Sequence, residues 1–155
     1  MVDLSTFGVP KGGDRYYEKV IYSLALLYNV LSSEIAAYLK EYNLTIGKMN
    51  ILMAIKHQGG KEGIMQVEIS KHLIVTPSNM TKMIHKLEKE KLVSRHALAG
   101  DRRVNIIKIT PKGSDLLDLV WKGYDAKLRS LIKNMSVDQQ KVLADMLMDW
   151  LNKTG

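Results

Sequence analysis

Apolar side chains recur at three- and four-residue steps along most of this chain, the spacing of helices that bury one stripe. Val20, Ile21, Leu24, Leu27, Tyr28, Leu31, Ile35, Tyr38 and Leu39 predict one long helix over residues 15–42. Asn43-Leu44-Thr45 interrupts it, and Thr45 is placed to cap a second helix over 46–56, ended by Gln58-Gly59-Gly60. Ile64 predicts a short strand. A short helix begins at Gln66, with Val67, Ile69, Leu73 and Ile74 along one side. Thr76 then offers a hydroxyl to an unpaired backbone N–H, and Pro77 occupies the first helical position, where a missing N–H costs nothing. Met80, Met83, Ile84 and Leu87 of that helix face the core.

The rhythm then changes. Residues 92–98 and 104–110, rich in Val, Ile and His, predict two strands joined through Ala99-Gly100-Asp101-Arg102, with Gly100 supplying the positive φ of a tight turn. Pro111 restarts a helix whose apolar face is Leu116, Leu117, Leu119, Val120, Tyr124, Leu128, Leu131 and Ile132. Asn134-Met135-Ser136 breaks it, with Ser136 as a cap. A last helix over 137–151 places Val142, Leu143, Met146, Leu147 and Trp150 on its buried side. The fold class is mainly α with a small β-hairpin wing (α+β).

Charge sharpens the picture. Residues 66–113 hold ten basic and four acidic side chains, six of the chain's seven net positive charges. A surface so charged suits a polyanion, most commonly DNA, whereas the bland alternative is a solvated lysine face. The polar side of the second short helix carries Ser78, Thr81, Lys82 and His85 at helical spacing, with Thr76, Pro77 and Asn79 at its start and Lys86 beside them. Such a face fits a major groove, where short hydroxyls and lysines reach base edges and phosphates. The hairpin favours DNA over the bland alternative. Asp101, Arg102 and Arg103 lie at or beside its tip, and an arginine there reaches a minor groove, with Asp101 fixing the direction of Arg103. Arg95 on the first strand completes the expected DNA-binding set.

The run Leu73-Ile74-Val75-Thr76-Pro77-Ser78-Asn79-Met80-Thr81-Lys82, the segment Leu87-Glu88-Lys89-Glu90-Lys91-Leu92-Val93-Ser94-Arg95, then Asp101-Arg102-Arg103-Val104 and Ile109-Thr110-Pro111-Lys112-Gly113 together resemble the MarR family of winged helix-turn-helix transcription regulators. The resemblance spans the chain, its specific motifs lying between residues 66 and 113. One position departs from it: Lys91 stands where the family commonly has glycine. The helix end there is closed without glycine, or Lys91 accepts a left-handed conformation.

With 155 residues the chain has the length of a single domain with a sizeable core. Residues 1–14 are expected as a flexible arm, without the apolar run of a signal peptide, and 15–155 as one domain. Within it, 45–113 form the DNA-binding lobe, and 15–42 with 114–152 the dimerisation helices. The end helices carry more apolar surface than a small winged-helix core covers, which predicts a homodimer, as the resemblance also implies. There are no cysteines, which excludes disulfides and thiolate metal sites and agrees with a cytoplasmic location. No stretch of about twenty uncharged apolar residues occurs, so no membrane span is expected.

His57, His72, His85 and His96 match no zinc spacing, and no phosphate loop, nucleophile elbow or paired-carboxylate motif is present, so neither an enzyme nor a cofactor is expected. The expected function is a regulator, a repressor in the simplest case, that binds double-stranded DNA at a near-palindromic operator. The resemblance implies release by a small lipophilic or phenolic effector between the dimer helices and the DNA-binding lobe. By position Tyr28, Tyr38, Met53, His57 and Trp121 would line such a cleft, although residues of these types at helical spacing more often form core, and the effector contacts stay unassigned. The alternatives are a winged-helix module that binds protein and a metal-responsive regulator.

Overall fold

The computed structural model describes residues 3–9, 14–73, 77–98 and 101–154, and of residues 72, 77, 78 and 101–103 the backbone alone. A 3-10 turn at Leu4–Phe7 precedes α1 (Tyr16–Lys40), α2 (Ile46–Gly59), β1 (Ile64–Met65), α3 (Gln66–His72), α4 (Pro77–Lys89), β2 (Val93–Leu98), β3 (Asp101–Ile109), α5 (Pro111–Ile132) and α6 (Val137–Thr154). The expected element order is therefore present, and the fold is mainly helical with a small sheet.

Helix boundaries follow the capping chemistry. The Thr45 hydroxyl accepts the Lys48 N–H at 3.2 Å and starts α2. Thr110 accepts the Gly113 N–H at 3.1 Å, with Pro111 at the first helical position of α5. Before α6, Ser136 and Gln139 cap each other: the Gln139 N–H donates to the Ser136 hydroxyl at 3.2 Å and the Ser136 N–H to the Gln139 side-chain oxygen at 2.9 Å.

The core lies around α2, whose Met49, Ile51, Leu52 and Ile55 are all buried. Leu39 of α1, Ile69 of α3, Met80, Ile84 and Leu87 of α4, Ile107 of β3, and Leu117 and Val120 of α5 close around them. The sheet order is β1-β3-β2, antiparallel throughout. Ile64 pairs with Ile107, which fixes the short strand expected at Ile64 beside the wing.

The end of α4 joins the start of α5 through a compact junction. Lys91 takes φ +60°, the left-handed conformation by which this helix end closes, and bears its strain because it is not glycine. The Leu92 N–H returns to the Leu87 carbonyl at 2.9 Å and closes the helix. The Thr110 hydroxyl donates to the Lys91 carbonyl at 2.7 Å, and Lys112 Nζ to the Glu90 carbonyl at 2.9 Å. Gly113 is required here, because a Cβ would strike the Leu92 carbonyl oxygen.

The structure differs from the sequence reading in several places. β3 starts at Asp101, so Asp101, Arg102 and Arg103 have strand backbone rather than forming the turn. Leu98 pairs with Asp101, and the register shifts between Ala97 and Leu98, which moves the connection to residues 99 and 100, outside those described. Val67, expected inward, is 57% exposed, because Ile69 takes the core position of this short helix. Within the expected arm, Leu4–Phe7 form a 3-10 turn capped by Asp3, and Val9 is buried. Ile74, Val75 and Thr76 lie outside the described residues.

α6 stands apart from the core. No residue of α6 is buried, and Val142, Met146 and Trp150 of its expected core face are open to solvent. Periodicity identified the apolar face, and no described residue of this chain covers it. α1 behaves similarly: Val20, Ile21, Leu27, Val30 and Leu31 are exposed. By length and composition α1 is apolar enough to cross a membrane, and Glu34 is what interrupts its uncharged run. Glu34 pairs with Lys127 of α5 at 2.7 Å, and the Tyr38 hydroxyl donates to the Val120 carbonyl at 2.6 Å, so α1 is fastened to α5.

Candidate nucleic-acid interface

The amphipathic pattern of α4 divides it into two sides. Met80, Ile84 and Leu87 are fully buried and fix its rotation, which turns Asn79, Thr81, Lys82, His85 and Lys86 outward. Lys82, Lys86 and Lys89 enter no ion pair among the described residues. Their charge is thus open to an external anion, whereas Lys48 of α2 is matched by Glu90 at 2.5 Å and Lys71 of α3 by Glu68 at 2.8 Å.

Pro77 opens α4 and Ser78 follows in its first turn. Thr76 lies outside the described residues, as do the side chains of Pro77, Ser78, Asp101, Arg102 and Arg103. The backbone puts the last three at the start of β3, at the end of the hairpin farthest from the core pairing of Val93 with Ile109. Arg95 differs from the other expected site residues. Its Nε lies 3.7 Å from a Glu88 carboxylate oxygen, an ion pair too long for a hydrogen bond, and the side chain is only 25% exposed. Glu88 thereby ties β2 to the end of α4.

Sequence spacing did not disclose a link between α3 and α4. Gln66 Nε2 donates to the Thr81 hydroxyl at 3.0 Å. Gln66, Ser70, Val104, Asn105 and Thr81 border a groove of about 320 Å³ between α3, α4 and the wing.

A second concavity lies between the winged-helix lobe and α5. Met53, Lys56, His57, Leu117, Asp118 and Trp121 line a cavity of about 160 Å³, with Lys56 and Asp118 paired at 2.6 Å on its edge. Met53 and Trp121 also border a neighbouring cavity of about 370 Å³ with Met49, Asn50, Leu73 and Tyr124. Three of the five cleft residues expected from position are therefore here. Tyr38 stands behind them, its ring 6.0 Å from that of Tyr124. Burial, and then the neighbouring Tyr42, push its hydroxyl pKa up to about 12. Tyr28 is 71% exposed and lines neither cavity, since ten residues, about 15 Å of helix, separate it from Tyr38.

Comparison with known proteins gives this geometry a context. The family model described as "Transcriptional regulator SarA/Rot" matches residues 34–120. The chain is 24% identical over 129 residues to the HTH-type transcriptional regulator MhqR of Bacillus subtilis, covering 83% of this chain and 87% of that one. It is 27% identical over 117 residues to the HTH-type transcriptional repressor MdtR of the same organism, covering 75% and 73% respectively. Among solved structures, AbsC, a MarR family transcriptional regulator from Streptomyces coelicolor, superimposes with a TM-score of 0.81 at 17% identity, over 94% of this chain and 98% of that one. A variant of MarR from E. coli in complex with operator DNA superimposes with a TM-score of 0.79 at 20% identity, over 91% and 99%.

Proposed function

We propose, from the premise that this chain belongs to the SarA/Rot family of DNA-binding transcriptional regulators and has the MarR winged-helix fold, that it binds a near-palindromic operator as a homodimer and acts as a repressor released by a small molecule. The observation that carries this reading is the outward face of α4, where three lysines that enter no ion pair among the described residues stand beside exposed Asn79, Thr81 and His85. That face enters the major groove. Thr76, Pro77 and Ser78 approach the backbone at the helix N-terminus, where unpaired N–H groups favour phosphate. Arg102 and Arg103 reach the flanking minor groove, with Asp101 directing Arg103, while Arg95 supports the wing through Glu88.

The homodimer reading draws on the uncovered apolar faces of α1 and α6, which require a partner of like character. A two-fold axis through these helices and α5 sets two α4 helices about 34 Å apart, one turn of DNA. Bound at a promoter in the cytoplasm, the dimer blocks transcription. The effector occupies the cleft of Met53, His57 and Trp121, where α5 meets the DNA-binding lobe. A lipophilic or phenolic compound there acts by binding one spacing of the two lobes more tightly than the other.

The test is binding to a duplex selected by the protein from a random pool. Lys82→Ala and Arg103→Ala each weaken binding while the fold and assembly stay intact, and loss of a phosphate-directed Lys82 lowers the salt slope by about one unit. Parent-like binding by both variants would remove this reading surface.

A further inference from the structure

Thr81 sits midway along the outward face of α4, and its side chain presents either of two chemistries. Threonine is β-branched, so rotation about χ1 exchanges a hydroxyl for a methyl. The hydroxyl exchanges hydrogen bonds with base edges, whereas the methyl packs against the C5-methyl of thymine. What holds χ1 therefore decides which base pair Thr81 favours.

Gln66 is in position to hold it. It stands at the first residue of α3 and bonds the Thr81 hydroxyl at 3.0 Å across fifteen residues of sequence. Its other amide atom, Oε1, is buried and meets no partner among the described residues. The bond to Thr81 is thus the one hydrogen bond of this amide among the described residues.

We propose that Gln66 is a specificity-determining positioning residue, which sets through Thr81 the base preference of α4 without itself contributing the base contact. The inference rests on the reading that α4 enters the major groove. It separates two roles on one surface: lysines supply affinity for any duplex, while the Gln66–Thr81 pair supplies discrimination at the base pair beneath it.

The experiment compares full-length parent, Gln66→Leu, Gln66→Glu, Thr81→Val, Lys82→Ala and the Gln66→Leu/Thr81→Val double variant. Each is titrated with a duplex selected by the parent and with duplexes altered at single base pairs. Gln66→Leu is expected to reduce discrimination at one base pair by about tenfold, within the range such contacts contribute, with parent-like salt slope and melting temperature. Gln66→Glu, which keeps the side-chain length but lacks the amide donor that bonds Thr81, loses the discrimination as Gln66→Leu does, whereas a merely structural role would leave the base preference of both variants unchanged. The double variant matches Thr81→Val, because the pair acts as one unit. If Thr81→Val changes base preference and Gln66→Leu does not, the positioning role is refuted while the α4 reading stands. If neither Thr81→Val nor Lys82→Ala affects binding, α4 is not the reading helix and both fall together.

Discussion

Lys91 offers a sharp test of how this chain closes its recognition helix. A left-handed residue with a Cβ crowds the following carbonyl, which costs about 1–2 kcal/mol. Lys91 carries that strain at φ +60°. Glycine removes it but gains freedom in the unfolded chain, a cost of about 0.5–1 kcal/mol. The hydrogen bonds that use this residue, from its N–H to the Glu88 carbonyl and from the Thr110 hydroxyl to its carbonyl, belong to the backbone and survive any side-chain change. Lys91 also places a positive charge at a helix C-terminus, a favourable position that both glycine and alanine forfeit. Alanine keeps the Cβ and is therefore the reference. Lys91→Gly should exceed Lys91→Ala in stability by about 0.5–1 kcal/mol, or about 1–4 °C in melting temperature for a domain of this size. Chemical and thermal unfolding followed by circular dichroism measure the difference. Equal stabilities for the two variants, or a more stable alanine variant, would refute the strain argument.

Three further outcomes follow from packing and charge. Gly113→Ala drives a Cβ into the Leu92 carbonyl oxygen, and backbone rather than a flexible side chain must move; about 3 kcal/mol of stability is lost in denaturant titration, at the upper end of overpacking costs. Tyr38 titrates near pH 12 in the folded chain, chiefly through burial, against about 10 when unfolded. Its neutral form is favoured by folding, so its contribution is intact below pH 10 and declines between pH 10 and 12; unfolding curves at pH 9 and 11 should show a decline that Tyr38→Phe lessens. Met146→Glu places a charge on the open apolar face of α6, and sedimentation should detect a shift from dimer to monomer with unchanged helical content. A dimer of undiminished affinity would move the interface elsewhere.

Much of the fold was legible because local chemistry specifies it. Thr45, Pro111 and Ser136 begin helices where their side chains satisfy backbone donors or lack one to satisfy, and the missing glycine at Lys91 left two ways to close the helix, of which the chain takes the left-handed one. The period of α4 placed Met80, Ile84 and Leu87 inward, and so fixed which residues face out. Periodicity names an apolar face without naming its cover: the face of α6, expected to pack in a dimer, is open in the single chain. Charged residues beside a glycine suggested a loop, but the pairing of Leu98 with Asp101 extends β3 through Arg102 and Arg103. Arg95 and Glu88 lie on different elements, and Gln66 and Thr81 on different helices. Such pairs depend on the crossing of packed elements, which no local spacing records. Tyr28, ten residues before Tyr38 on α1, lines neither cavity of the single chain.

The most direct measurement is the mass and salt dependence of the complex with a selected near-palindromic duplex, followed by sedimentation from about 50 to 200 mM salt. The account predicts two chains per duplex and an affinity that falls by about a thousandfold or more over that range, as expected when six or more phosphates are neutralised. One chain per duplex, or an affinity indifferent to salt, would contradict it.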